Sequence, residues 1–154
     1  MIRAYRILKT SLAQHAFDGE GARLYGGRWN SKGRAVVYCA ESLSLATLEI
    51  LVHLEDRVSL ENLFSFIAVD IPDECVEVLP LSDLPLTWNS EAMSSASRQV
   101  GDEWVAEGRT VALKVPSAII PNEWNYLLNP AHPDFSKLAF GFLQSFSMDP
   151  RLVS

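Results

Sequence analysis

The chain has few cysteines and lacks a long apolar run. Its two cysteines, Cys39 and Cys75, stand alone in apolar stretches instead of in C-x-x-C pairs, which argues against a disulfide framework, a zinc ribbon and a thioredoxin motif. No apolar run approaches the ~18 residues that cross a bilayer, and the first residues carry scattered charges without the apolar segment of a signal peptide. We therefore expect a soluble, cytoplasmic protein that does not bind membranes.

Three common kinds of catalytic or cofactor site are also missing. Ser117 lies in V-P-S-A instead of the G-x-S-x-G of an α/β-hydrolase. The histidines His15, His53 and His132 are scattered, so we predict no metal site. The glycines of residues 19–33 form neither G-x-G-x-x-G nor a Walker A sequence, which makes a Rossmann-type dinucleotide site improbable.

The charge is low overall but unevenly distributed. A net charge of -6, from 13 basic and 19 acidic residues, disfavours direct binding of nucleic acid. Residues 21–34 contain four basic and no acidic residues, which leaves -10 on the rest of the chain. A local positive field on an acidic body suits a small anionic ligand, although a solvent-exposed basic loop explains the cluster equally well.

With 154 residues, the chain is long enough for one domain with its own core, and its pattern is mixed. Alternating or short apolar runs predict strands at residues 2–8, 35–40, 63–71, 75–79 and 110–116. Residues 9–34, rich in glycine, are predicted to be loop, and residues 117–135, with three prolines and three asparagines, are predicted to be largely loop or short strand. We predict a single α+β domain that spans residues 1–154.

Apolar spacing of three and four residues predicts two helices. The first covers residues 43–56, with Ser42 or Ser44 as its N-cap. The second covers residues 90–107. Gly101 lies inside it at a cost of roughly 1 kcal/mol relative to alanine, which indicates close packing or a neighbouring site.

Three polar side chains are exceptions in their surroundings. Arg28 follows a Gly-Gly pair, Tyr38 lies in an apolar run, and Glu49 interrupts an apolar helix. A guanidinium, an aromatic ring and a partly desolvated carboxylate together suit an anionic, ring-bearing ligand with a bond to be broken next to a sugar. For Glu49 alone, a surface position paired with His53 or a lysine is the more common arrangement.

Two long blocks of the sequence resemble a known family. The blocks are GGRWNSKGRAVVYCAESLSLATLEILVH and GDEWVAEGRTVALKVPSAIIPNEWNYLLNPAHPDF. They resemble the RES domain, the toxin half of bacterial RES–Xre toxin–antitoxin pairs. The resemblance implies a fold akin to ADP-ribosyltransferases, an activity that degrades NAD+ as a substrate without a further cofactor, and an Xre-type helix-turn-helix antitoxin that covers the active site. It also suggests a homodimer.

The resemblance assigns the catalytic constellation to Arg28, Tyr38 and Glu49. The Arg28 guanidinium can hold a phosphate or ribose oxygen, and the Tyr38 ring can stack on the cationic nicotinamide. Cleavage of the nicotinamide–ribose bond passes through an oxocarbenium-like state, whose positive charge the Glu49 carboxylate can stabilise.

Three further residues are expected to bind substrate. The resemblance makes Ser117 a pocket residue and Asn125 a weaker candidate, both as donors of orienting hydrogen bonds. Arg6 shares a predicted strand face with apolar residues, so it either lies in water at the strand's end or reaches into the site as a second phosphate contact.

The leading hypothesis is therefore an NAD+ glycohydrolase or NAD+ phosphorylase that acts as a toxin. The sequence does not distinguish water from phosphate as the acceptor. A second hypothesis is transfer of ADP-ribose to a macromolecule, which needs an acceptor-binding surface. A third is a non-catalytic domain that only binds the antitoxin, which would have no need of Arg28, Tyr38 and Glu49 together.

Overall fold

The structure is a computed structural model that describes residues 1–53, 63–90 and 94–152, and its fold is α+β, as predicted. Within these ranges the strands are β1 (Ile2–Lys9), β2 (Val37–Ala40), β3 (Phe64–Ile71), β4 (Val76–Val78), β5 (Ala112–Pro116), β6 (Trp124–Leu128), β7 (Ala139–Phe140) and β8 (Gln144–Phe146). The helices are α1 (Glu20–Tyr25), α2 (Leu43–Leu51) and α3 (Ser94–Glu107). None of the described helices is long and apolar enough to cross a membrane.

All of these strands belong to one sheet with the order β4-β5-β6-β2-β1-β3-β7, and β8 pairs with the other end of β3. Every pairing is antiparallel except that of β4 with β5. β1 pairs with β3 along its whole length but meets β2 in one register pair, Tyr5 with Ala40. The two central strands therefore diverge beyond this pair.

Local sequence explains helix α2. Ser42 is its N-cap and accepts a hydrogen bond from the main-chain N–H of Leu45 at 3.1 Å, which decides between the two predicted caps. Leu45 and Ala46 are buried against β1 and β2, while Glu49 follows one turn later. The helix ends at Leu51, so the prediction was wrong for Val52 and His53, which form a turn, and residues 54–56 of the predicted helix lie outside the described residues.

Helix α3 packs closely on the loop before β2. A Cβ on Gly101 would lie 1.6 Å from the main-chain oxygen of Trp29, so close packing explains the glycine within the helix. Trp104 is fully buried, and its indole N–H donates to the Thr110 hydroxyl at 3.0 Å. The helix ends at Glu107, as predicted, and residues 91–93 of its predicted start are not among those described.

Residues 9–34 contain more regular structure than predicted. A 3-10 helix (Thr10–His15) and helix α1 lie there, and each is six residues long. Elements this short do not complete enough turns to display an apolar period, so the glycines dominate the pattern. The predicted strands at 63–71 and 75–79 are confirmed as β3 and β4. The two strands do not pair with each other: β4 pairs with β5 and lies at the opposite end of the strand order from β3.

The sheet is buried on both faces, because successive side chains of β2 pack alternately into two different cores. Val37 and Cys39 face one core, which also contains Cys75. Tyr38 faces another core, which is built around tryptophans Trp29, Trp88 and Trp104. Both cysteines are free and buried, as their apolar surroundings predicted.

Candidate active site

The Glu49 carboxylate is held by two donors from the β5–β6 hairpin. Its Oε1 accepts hydrogen bonds from the Ser117 hydroxyl at 2.7 Å and from the Asn125 side-chain amide at 2.8 Å. These partners are 68 and 76 residues away in sequence. No described residue donates to Oε2, and no described bond links Glu49 to His53, so the surface pairing considered for this glutamate does not occur. The carboxylate therefore has one oxygen fixed and one available.

Ser117 is locked in a single donor orientation. It follows β5 directly, is fully buried, and its Oγ accepts from the main-chain N–H groups of Ile119 at 3.1 Å and Ile120 at 3.2 Å. A hydroxyl oxygen has two lone pairs and one proton. Because both lone pairs are used by the loop, the proton can only go to Glu49.

Asn125 is placed by strand register. It pairs with Ala40 on β2 and with Val115 on β5, so it lies between the strand that precedes α2 and the strand that precedes Ser117. Its side chain is 8% exposed, and its Oδ1 is buried without a hydrogen-bond partner among the described residues. A buried acceptor of this kind costs about 1–3 kcal/mol unless a ligand or water satisfies it. The nitrogen of the same amide group is bonded to Oε1 of Glu49.

Tyr38 fixes the turn that carries Arg28. Its hydroxyl donates to Oδ1 of Asn30 and accepts from the main-chain N–H of Trp29 at 3.1 Å. Burial raises the pKa of the Tyr38 hydroxyl, whereas the bond from Trp29 acts in the opposite direction. The hydroxyl thus stays protonated and engaged at both sides, and the ring is what Tyr38 can offer to a ligand.

Arg28 is oriented at both its main chain and its side chain. Its carbonyl accepts from the buried Ser97 hydroxyl at 2.6 Å, and its Nη1 donates to the carbonyl of Ser90 at 3.1 Å. The half-buried guanidinium makes no other hydrogen bond with the described residues. It therefore keeps most of its donors for an anion.

The two groups of side chains share one face of the sheet. Tyr38 pairs with Leu127, two residues beyond Asn125 on the same strand, so Tyr38 and Asn125 are diagonal neighbours. Such neighbours lie about 7–8 Å apart, within reach of one small ring system between them. The structure thus brings Glu49, Ser117 and Asn125 into direct contact and places Tyr38 and Arg28 alongside.

Arg6 is separated from these residues. Tyr5 pairs with Ala40, so strand alternation places Arg6 on the opposite face, near Cys39 and Asp18. Its Nη1 donates to the carbonyl of Tyr38 at 3.0 Å, its Nε is buried without a partner among the described residues, and burial lowers the pKa of the guanidinium. Its contact with a phosphate stays a prediction, and the observed bond supports the main chain of Tyr38.

The sequence did not single out Asn30, which is fully buried at the centre of the Arg28 loop. Its side-chain amide donates to the carbonyls of Ala22, Ser31 and Arg34 at 2.9–3.1 Å. The following residue is fixed by Asp102 of α3, whose carboxylate accepts from both the N–H and the hydroxyl of Ser31. The only signal for Asn30 in the sequence is its place directly after GGRW.

In this α+β fold, Glu49 on helix α2 is hydrogen-bonded to Ser117 and Asn125 of one β-hairpin. Arg28, on the loop that follows the glycine pair, lies beside them. Among the described residues no group of three or more metal-ligating side chains is present. The chain belongs to the RES domain family, whose sequence profile matches residues 3–149.

Several known proteins are similar to this chain over nearly its whole length. The protein named Toxin Res of Photorhabdus laumondii is 41% identical over 150 residues, which cover 97% of this chain and 96% of that protein. The Prs ADP-ribosylating toxin of a Sphingobium species is 39% identical, with 97% and 95% covered. The fold is similar to a chain of the Mycobacterium tuberculosis MbcT–MbcA toxin–antitoxin complex, with a TM-score of 0.76, 20% identity, and 97% and 85% covered.

Proposed function

We propose that this protein is an NAD+-consuming toxin that cleaves the bond between nicotinamide and ribose. The observation that carries the proposal is the Glu49 carboxylate, with Oε1 fixed by Ser117 and Asn125 and Oε2 without a partner among the described residues. A fixed carboxylate with a free oxygen suits a ribose hydroxyl in the ground state and a positively charged ribose in the transition state.

In the proposed reaction, the C1′–N bond breaks and its electron pair neutralises the nicotinamide ring. The developing charge on the ribose is stabilised by Glu49, and no proton transfer to the leaving group is needed because nicotinamide leaves as a neutral base. Attack of water at C1′ gives ADP-ribose and a proton. Attack of inorganic phosphate gives ADP-ribose-1″-phosphate.

Arg28 and Tyr38 would orient the substrate. The remaining donors of the Arg28 guanidinium would hold a phosphate or ribose oxygen close to the nicotinamide ribose, and the Tyr38 ring would stack on nicotinamide while its hydroxyl remains bonded to Asn30. The unpaired Oδ1 of Asn125 is suited to accept a hydrogen bond from a ribose hydroxyl or from the nicotinamide amide.

A second candidate function shares the bond-breaking step but differs in the acceptor. The Sphingobium relative is named an ADP-ribosylating toxin, and this name favours transfer of ADP-ribose to a macromolecule. Both reactions release nicotinamide, whereas only hydrolysis or phosphorolysis releases the sugar product without an acceptor protein.

We further propose that the protein is bound by an antitoxin. The structural neighbour from Mycobacterium tuberculosis is part of a toxin–antitoxin complex, and the sequence resembles the toxins of RES–Xre pairs. The proposed partner is thus a helix-turn-helix protein of the Xre type. With its net charge of -6, this chain would complement a basic, DNA-contacting antitoxin.

The proposal is tested by NMR of NAD+ with the purified protein, in buffers with and without phosphate. Wild type should release nicotinamide in one or both buffers, and the second product identifies the acceptor. Glu49→Gln keeps an acceptor oxygen for Ser117 and Asn125 but removes the charge, so it should fold normally and lose about 3 kcal/mol of transition-state stabilisation, roughly a hundredfold in rate.

Glu74→Gln is the matched control, since Glu74 is exposed in the turn between β3 and β4. It should retain the full rate. A folded Glu49→Gln protein as active as Glu74→Gln would refute the role of Glu49. Nicotinamide release only when a protein acceptor is present, with label on that acceptor, would favour the second candidate.

A further inference from the structure

A cleft of about 580 Å³ opens beside the Arg28 loop and is used by none of the steps above. Its lining includes Tyr25, Gly26, Gly27, Lys32 and Arg98. The cleft therefore lies between α3 on one side and the end of α1 with the glycine pair on the other. Glu49, Ser117 and Asn125 do not line it.

The cleft shares its glycine wall with the surroundings of Tyr38 and Arg28. A Cβ on Gly27 would lie 2.6 Å from the Tyr38 hydroxyl, so the main chain at Gly27 rests against Tyr38 while it also forms the wall of the cleft. Arg28 is the next residue. A ligand that stacks on Tyr38 and contacts Arg28 would thus continue over the glycine pair into this cleft.

The chemistry of the lining suits a phosphate followed by a planar ring. Lys32 and Arg98 supply two positive charges, and no acidic side chain lines the cleft among the described residues. Tyr25 is 79% exposed at the rim, so its ring is accessible to a planar group of a ligand. Glycine at residues 26 and 27 allows a ligand to approach the main chain closely.

A neighbouring cleft of about 360 Å³ differs because acidic side chains line it. It is lined by Arg34 and Arg98 but also by the carboxylates of Asp102 and Glu103. The Asp102 carboxylate is bonded to Ser31, and the Glu103 carboxylate accepts from Gln99. These two negative charges disfavour an anion there, while Ser31 and Arg98 line both clefts.

We propose that the larger cleft binds the ADP half of NAD+, with the diphosphate at Lys32 and Arg98 and the adenine against Tyr25. This inference rests on the proposed function, because it supplies the part of the dinucleotide that Glu49 and Tyr38 do not reach. It predicts that one set of residues binds the ADP half and that a different set acts on the nicotinamide half.

The test compares Tyr25→Ala and Lys32→Ala with wild type in nicotinamide release from NAD+. Each variant should raise the KM for NAD+ about tenfold with kcat unchanged, the effect of losing one charged or stacking contact that is made equally in the ground and transition states. The affinity for nicotinamide riboside, which lacks the whole ADP half, should be unchanged, whether it acts as substrate or as competitor.

Arg34→Ala is the matched control, since it removes one exposed positive charge from the same loop but lines only the smaller cleft. It should leave the KM for NAD+ unchanged. Equal KM values for wild type, Lys32→Ala and Tyr25→Ala would overturn the inference, as would an equal loss in Arg34→Ala, and the proposed function would still stand in either case.

Binding of ADP, measured by calorimetry, tests the cleft independently of turnover. If wild type does not cleave NAD+, the proposed function fails. Weaker binding of ADP by Lys32→Ala and Tyr25→Ala than by wild type and Arg34→Ala would then still support an ADP-binding cleft. Absent binding, or binding that none of these variants changes, would overturn it.

Discussion

Replacement of Asn30 by alanine should destabilise the protein strongly although it removes only a few atoms. The side chain is fully buried, its Oδ1 accepts from the Tyr38 hydroxyl, and its Nδ2 lies 2.9–3.1 Å from three main-chain carbonyls. It therefore connects α1, the Arg28 loop and β2 through a single amide group.

The magnitude follows from the partners that would be left unsatisfied. An amide has two N–H donors, so at any moment it satisfies two of the three carbonyls in addition to the Tyr38 hydroxyl. Each buried group left without a partner costs about 1–3 kcal/mol, and water entering the space recovers part of this. We expect Asn30→Ala to lose roughly 3–5 kcal/mol, a large share of a typical stability of about 5–15 kcal/mol.

Urea unfolding followed by tryptophan fluorescence measures this loss. Asn122→Ala, a change at an exposed asparagine, is the control and should stay within about 0.5 kcal/mol of wild type. Asn30→Asp keeps the acceptor for Tyr38 but loses the donors, so it should also be destabilised. A loss below about 1 kcal/mol for Asn30→Ala, at an unchanged m-value, would refute the account of this loop.

Three further predictions concern packing, capping and pH. Gly101→Ala should lower the free energy of unfolding by more than ~2 kcal/mol, because the new Cβ would lie 1.6 Å from the main-chain oxygen of Trp29. Gly21→Ala is the control: the position has open space around it, so the free energy of unfolding should rise by up to ~1 kcal/mol. Equal urea midpoints for the two variants would contradict this prediction. Ser42→Ala should lose about 1 kcal/mol with the N-cap bond, and the exposed Ser44→Ala should lose little, which thermal melting can distinguish. Burial raises the pKa of Cys39 from 9.0 to about 12, so the folded protein retains a proton that the unfolded chain releases. The associated stability is present below pH 9 and is lost as the pH rises towards 12, by up to ~1.4 kcal/mol per unit; Cys39→Ala should show a shallower fall of the urea midpoint between pH 9 and 11, and parallel curves would contradict the prediction.

The predicted elements are those whose signals are local. The N-cap and period of α2, the alternation of β1 and β3, and the end of α3 at Glu107 all depend on residues within a few positions of one another. Short elements such as α1 escaped prediction because six residues carry too little pattern. The pairing of β4 with β5 could not be predicted, because neither strand's own sequence indicates which distant strand it pairs with.

The sequence alone determined the family: its two long blocks identified the RES domain and, through that resemblance, predicted Arg28, Tyr38, Glu49, Ser117 and Asn125 as site residues. Only the tertiary structure decided how these residues are arranged. It directed Ser117 and Asn125 to one oxygen of Glu49, turned Arg6 to the opposite face of the sheet, and made Asn30 the centre of the Arg28 loop. The physical reason is that a hydrogen bond requires two groups to meet within about 3 Å, and for residues tens of positions apart that distance is set by strand register and packing of the whole chain.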